Sequence, residues 1–153
     1  KKNITLLAGD FLNFNFKKSL YDKIIIYDVL HELKNKKEAY LFINKAIKLL
    51  KPDGKILIAD LPNISLKKRF TNSQFGKRFT KKWSSKKISS RCKEAMHFLS
   101  RDPSDHWIID DDFVVNLVSH IRSKGMNAFV VPQNKTLPFG HTREDIVVEF
   151  FKS

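Results

Sequence analysis

A chain of 153 residues, 42% hydrophobic and 29% charged, is long and apolar enough to fold as one domain with its own core, which excludes a disordered or fibrous chain. No stretch is apolar for long enough to span a bilayer, no signal peptide is seen at the start, and Cys/His spacings of a metal site are absent, so neither a membrane span nor a metal is expected. The single cysteine, Cys92, excludes an internal disulfide framework and points to a reducing, cytoplasmic compartment, while the formal net charge of +13 admits a polyanionic partner or a compositional bias toward Lys, Asn, Ile and Phe.

In chain order, Asn3–Ala8 reads as a strand ended by Gly9-Asp10, with Phe11, Phe14 and Phe16 alternating with polar residues in a loop or short helix. Only two lysines precede it, so the chain begins almost directly on an internal element. Lys23–Tyr27 carries three consecutive isoleucines, as expected of a strand buried on both faces in a parallel sheet. Tyr27 and Asp28 then fall at its C-terminal end, where open α/β sheets bind ligands; a plain core strand with solvated polar ends is the competing reading. Asn35 and Glu38 form a capping-box pattern, and Ala39, Phe42, Ile43, Ala46, Ile47 and Leu50 repeat as one helical face. Lys51-Pro52-Asp53-Gly54 reads as a turn, and Lys55–Ala59 as a second buried strand ended by Asp60-Leu61-Pro62-Asn63, completing a βαβ unit.

Ile64–Lys93 holds eleven Lys or Arg and no Asp or Glu. Phe70, Phe75, Phe79 and Trp83 run through it at roughly helical spacing. It reads as an amphipathic helix with its basic face in water, as a basic lid over an anionic ligand, or as a nucleic-acid patch with stacking aromatics; the helical spacing favours burial of the rings. Ser100–Asp112 is irregular. Asp110 to Asp112 open a helix whose apolar face is Phe113, Val114, Leu117, Val118 and Ile121, closed by Lys124-Gly125. Asn127–Val131 and Asp145–Phe151 are the last strands, economically an antiparallel hairpin.

The run from Tyr21 through Asp28-Val29-Leu30-His31-Glu32-Leu33, followed after a helix by Leu49-Leu50-Lys51-Pro52-Asp53-Gly54-Lys55-Ile56-Leu57-Ile58-Ala59-Asp60, resembles the C-terminal two-thirds of a class I S-adenosylmethionine-dependent methyltransferase. The resemblance covers nearly the whole chain, with Ile64–Asp112 as a variable lid or substrate region. It implies an α/β fold: an incomplete doubly wound Rossmann-like sheet holding the equivalents of strands 3 to 7 of the family order 3-2-1-4-5-7-6, mostly parallel with a C-terminal antiparallel hairpin. The family's glycine-rich loop has no counterpart, since the five glycines, at 9, 54, 76, 125 and 140, form no G-x-G. The expectation is a truncated domain in which Asn3–Ala8, without its partner strands, leaves an open sheet edge and pairs with a second copy, rearranges or stays detached.

The resemblance implies that Asp10 meets the adenine amino group, that Phe11 packs on the ring, and that Tyr27 and Asp28 face the methionyl and sulfonium part of S-adenosylmethionine. Asp10 or Asp28 could instead simply cap the following turn. His31 is the best-placed candidate base, ahead of His97, His106 and His141. Leu137–Asp145 and Asp60–Asn63 resemble segments of methyltransferases associated with bacterial surface polysaccharides. They bring Asp60, Asn63, His141 and Arg143 forward as acceptor-binding residues, although Arg143 with Glu144 or Asp145 also reads as a salt bridge in the hairpin. The resulting expectation is methyl transfer to a sugar or sugar-nucleotide oxygen or nitrogen, with a small, possibly anionic acceptor. An RNA-modifying enzyme and a non-catalytic remnant are the alternatives.

Overall fold

In the computed structural model, which describes residues 3–16, 20–85, 107–137 and 139–150, the isoleucine run lies in strand β1 (Tyr21–Tyr27). A 3-10 turn, Leu30–Glu32, leads to helix α1 (Lys36–Lys48) and strand β2 (Leu50–Pro62). Helices α2 (Ile64–Asn72), α3 (Gln74–Ser85) and α4 (Asp111–Arg122) follow, then strands β3 (Met126–Pro132) and β4 (Arg143–Phe150). The sheet order is β1-β2-β4-β3, with β1 and β2 parallel and the other pairs antiparallel. This is the mixed α/β sheet expected from the sequence, in the spatial order the resemblance assigns to strands 4-5-7-6.

Local chemistry explains each helix boundary. Asn35 accepts from the Glu38 amide at 3.0 Å, satisfying a free helix donor, and the Glu38 carboxylate reaches back to accept from the Lys34 amide just before the cap. Asp110 caps α4 through the Phe113 amide at 2.8 Å. Gly125, at φ 79°, supplies the left-handed residue that ends the last turn. The expected single helix after Ile64 is broken at Ser73, inside the one five-residue gap between aromatics. Ser73 Oγ accepts from the Gly76 amide to start α3, and a Cβ at Gly76 would lie 1.9 Å from the Phe70 carbonyl oxygen, so only glycine lets the helices meet there.

One sheet face carries Ile26, Ile56, Ile58, Ile146, Val148 and Ala128, packed with Ile43 and Ala46 of α1 and Leu117 and Ile121 of α4. The opposite row, Ile25-Leu57-Val147-Phe129 in register across the strands, stays more open, with Ile25 70% exposed. β1 is therefore buried on one face, not two, because α1 and α4 both lie on the same side. Asn3–Ala8 is not a strand here: it joins no ladder and is exposed throughout, the detached outcome among the three expected for it. A strand needs a neighbour to take up its backbone groups, and among the described residues none flanks this segment or the outer edge of β1. The turn at Lys51–Gly54 is absorbed into β2 as a register shift between Tyr21 and Lys23, with Asp53, not Gly54, at positive φ. Gly54 is instead required for space: a Cβ would sit 2.7 Å from the Leu50 side chain. No helix among the described residues is long and apolar enough to cross a membrane.

His120 of α4 meets α1 in the core margin, with Nε2 2.9 Å from Asn44 Oδ1 and its ring edge-on to Tyr40. Burial, followed by the Lys124 charge, holds its pKa below the ordinary 6.5. The folded state therefore resists the imidazolium. Stability is full above the unfolded value and falls as pH drops below it, because the unfolded chain takes up the proton first. His120→Gln is expected to flatten the dependence of Tm on pH between about pH 7 and 5; an unchanged slope in thermal melts would show that another group carries it.

Candidate functional site

The parallel ladder of β1 with β2 ends at Tyr27↔Ala59, so Asp28, just past β1, and Asp60, inside β2 where only β4 still pairs with it, follow side by side. Both adopt left-handed backbone, at φ 57° and 66°, a region that Asp tolerates better than most side chains. The Asp28 amide donates to the Ala59 carbonyl at 3.1 Å, fixing the two tips together. Between Ile58 and Leu61 the pairing of β2 with β4 slips by one residue, and this bulge turns Asp60 inward.

Arg143, at the start of β4 and 5% exposed, inserts between the two carboxylates. Its Nη1 donates to Asp60 Oδ2 and, at 3.1 Å, to Asp28 Oδ1. Its guanidinium lies 4.8 Å from the Phe139 ring centroid. Gln133 Nε2 donates to Asp60 Oδ1 at 3.1 Å and to Asp145 Oδ1 at 3.0 Å, and Asp145 Oδ1 also accepts from the Asp60 amide. Asp60 is thus buried with a cation and a neutral donor on its two oxygens, the condition under which a carboxylate survives burial. The Asp28 side chain stays 46% exposed, so the network holds it at the crevice with one flank to solvent.

Asn63, 1% exposed, joins this cluster to the basic helices. Its Oδ1 caps α2 through the Ser65 and Leu66 amides, and its Nδ2 donates to Asp111 Oδ1 and Glu144 Oε1. Arg69 of α2 pairs with Asp111 as well. The Arg69 guanidinium, with help from the Asn63 amide, holds the Asp111 carboxyl below the usual carboxylate range. Phe70, Phe75 and Phe79 surround His141, with Phe70 stacked on the imidazole at 4.8 Å and 3°.

The structure thus gathers Asp28, Asp60 and Arg143, with His31 beside them. His31 Nε2 lies 3.5 Å from Asp28 Oδ1 and 3.1 Å from Glu32 Oε1, with its side chain 12% exposed. Tyr27 is exposed next to Asp28. Asn63 reaches the cluster through Glu144, whereas His141 is taken up by the aromatic contacts of α2 and α3. Asp10 and Phe11 are engaged locally. Asp10 accepts from the Leu12 amide and the Asn13 side chain, and Phe11 stacks on Phe42 of α1 at 4.2 Å. Arg143 bridges Asp28 and Asp60, a pairing the hairpin reading did not include, because β4 lies against β2 and brings residue 143 to the end of the parallel ladder. Gln133, Asp111 and Arg69 have no signal in the sequence: each acts through a partner more than forty positions away. Cys92, His97 and His106 lie outside the described residues.

The sequence profile of a family described as a methyltransferase domain matches residues 1–128. No protein of curated function matches the chain. Among solved structures, the N-methyltransferase NodS from Bradyrhizobium japonicum WM9, in complex with S-adenosyl-L-homocysteine, is similar at TM-score 0.52 and 14% identity, over 95% of this chain and 54% of its own. The methyltransferase domain of bacterial CtHen1-C gives 0.59 and 14%, over 99% and 63%. Magnesium protoporphyrin IX methyltransferase from Synechocystis PCC 6803, with the same bound compound, gives 0.51 and 12%, over 96% and 51%. At these identities the likeness is one of fold, and this chain spans between half and two thirds of each solved chain.

Proposed function

The chain belongs to the methyltransferase-domain family, and from that premise we propose that it serves S-adenosylmethionine-dependent methyl transfer to an oxygen or nitrogen of a small polar acceptor, a sugar or sugar nucleotide, in the cytoplasm. The observation that carries this reading is the pair of carboxylates where the parallel β1–β2 ladder ends, one buried and one open, tied by Arg143.

The residues at the strand tips suit the cationic end of the cofactor. Asp28 offers a partly exposed carboxylate, which attracts an ammonium or sulfonium group, and Tyr27 gives an exposed ring beside it. Asp10 and Phe11 would meet the adenine end, with Asp10 presenting oxygens already used in its own turn. When bound, S-adenosylmethionine supplies an electrophilic methyl group. The chain's own contribution is then to place the acceptor atom in line and to exclude other approaches, from which much of the rate derives. His31 is the group proposed to take the acceptor proton, with the Asp28 and Glu32 carboxylates beside Nε2 favouring the imidazolium that results. Asp60, Asn63 and Arg143 act as positioning residues, since each is buried and hydrogen-bonded within the protein. His141 and the helices it anchors form the acceptor-side rim.

The test combines calorimetry with S-adenosylmethionine and transfer of labelled methyl groups to a panel of sugar nucleotides. Cofactor binding that weakens about tenfold in Asp28→Asn, with label in the sugar nucleotide and a pH-dependent kcat limb lost in His31→Gln, is expected. Binding without transfer to any sugar nucleotide would remove the acceptor class. No binding, even after an N-terminal extension carrying a glycine-rich loop is supplied, would remove the activity.

A further inference from the structure

We infer that helix α3 is a docking surface for single-stranded nucleic acid, held through its phosphodiester backbone without sequence preference. The inference stands on charge and geometry and does not depend on the methyl acceptor. Between Ile64 and Ser85 there are seven Lys or Arg and no Asp or Glu. Lys77, Arg78, Lys81 and Lys82 are all exposed and fall at i, i+1, i+4 and i+5 of α3. At 3.6 residues per turn they fan over roughly 140° of one helix side, within about 7.5 Å of axis.

The aromatic side of the hairpin points the other way. Phe70 and Phe79 pack on His141 in the β3–β4 connection, so the body of the protein lies against the rings and the cations face outward. This argues against a small anionic acceptor as their ligand, because such a molecule needs donors converging on a concave site. Exposed cations spread along one helix side instead match an extended polyanion, whose successive phosphates each meet a different side chain. Membrane surface binding requires a broad apolar helix face to enter the lipid, and here that face is occupied by His141 and its neighbours. Phe75, 58% exposed and one turn before Arg78, leaves a ring at the border of the basic arc on which a base can stack.

The experiment measures fluorescence anisotropy of a short labelled RNA of mixed sequence, titrated with the full chain over a range of salt. The variant K77E/R78E/K81E/K82E is compared with K34E/K36E/K37E/K48E, which makes the same charge change at exposed positions on and just before α1. The α3 variant is expected to lose at least about tenfold in affinity and to flatten the salt slope by ~0.7 per phosphate contact removed. The α1 variant should stay within about threefold of the parent. If circular dichroism shows the α3 variant unfolded, the neutral set K77Q/R78Q/K81Q/K82Q replaces it, with a smaller loss of the same sign expected. Equal losses in both variants would mean diffuse attraction by net charge and overturn the assignment. So would no RNA binding by the parent, or binding to phosphatidylserine vesicles in its place.

Discussion

Arg143→Met is expected to destabilise the folded protein by about 3–5 kcal/mol, the largest effect of any single side-chain replacement in the site. The magnitude follows from what is left behind. The Asp60 side chain is 11% exposed, and with the guanidinium gone its Oδ2 keeps its charge with no cation beside it. Gln133 still donates to Oδ1 but cannot neutralise it. Asp28 suffers less, since it reaches solvent. Two further variants separate charge from shape. Arg143→Lys restores a cation that can meet both carboxylates through one nitrogen, as Nη1 does, but it loses the planar group lying over Phe139, so it should recover most but not all of the loss. Arg143→Met combined with Asp60→Asn removes the stranded charge and should recover more than Asp60→Asn alone would suggest, the sign of direct coupling. Chemical denaturation of the four proteins measures this. Additive losses would show that Arg143 and Asp60 are not energetically joined.

Asn63→Asp is expected to be at least as damaging as Asn63→Ala, although Asp is as good a helix cap as Asn. Asn63→Ala forfeits the cap of α2 and leaves Asp111 and Glu144 without their shared donor, about 2–4 kcal/mol together. Asn63→Asp keeps the acceptor facing the Ser65 and Leu66 amides, yet it replaces the Nδ2 donor by a third carboxylate between Asp111 and Glu144. Arg69, the cation already paired with Asp111, is too exposed to offset this. Protonation relieves the repulsion, so the excess cost of Asn63→Asp over Asn63→Ala should shrink as pH falls below about 4.5. The parent runs the opposite way: Asp111, held low by Arg69 and Asn63, contributes stability above the unfolded value of 3.8 that is lost as pH falls through its folded value. Melting curves of the three proteins across this range test both signs. A pH-independent gap between the two variants would place the damage in the cap, not in the charge.

The sequence by itself determined the elements and their chemistry of termination. The isoleucine runs, the Asn35–Glu38 cap, the apolar face from Ala39 to Leu50 and the Lys124-Gly125 stop are local signals, each set by backbone geometry or a neighbour within a few positions, and each stands where expected. The acidic tips Asp28 and Asp60 were legible too, because a parallel βαβ unit must bring its strand ends to one side. Tertiary structure alone decided what those tips are bound to. Arg143 reaches Asp28 across 115 positions and Gln133 reaches Asp60 across 73, contacts that exist only because β4 inserts between β2 and β3. The same holds for the segments that departed from expectation. Asn3–Ala8 has the composition of a strand but, among the described residues, no neighbour to pair with, and Ile25 has the composition of a core residue but faces the side of the sheet that α1 and α4 leave open. Propensity describes what a segment can become, whereas burial and pairing depend on a second surface that the segment does not encode.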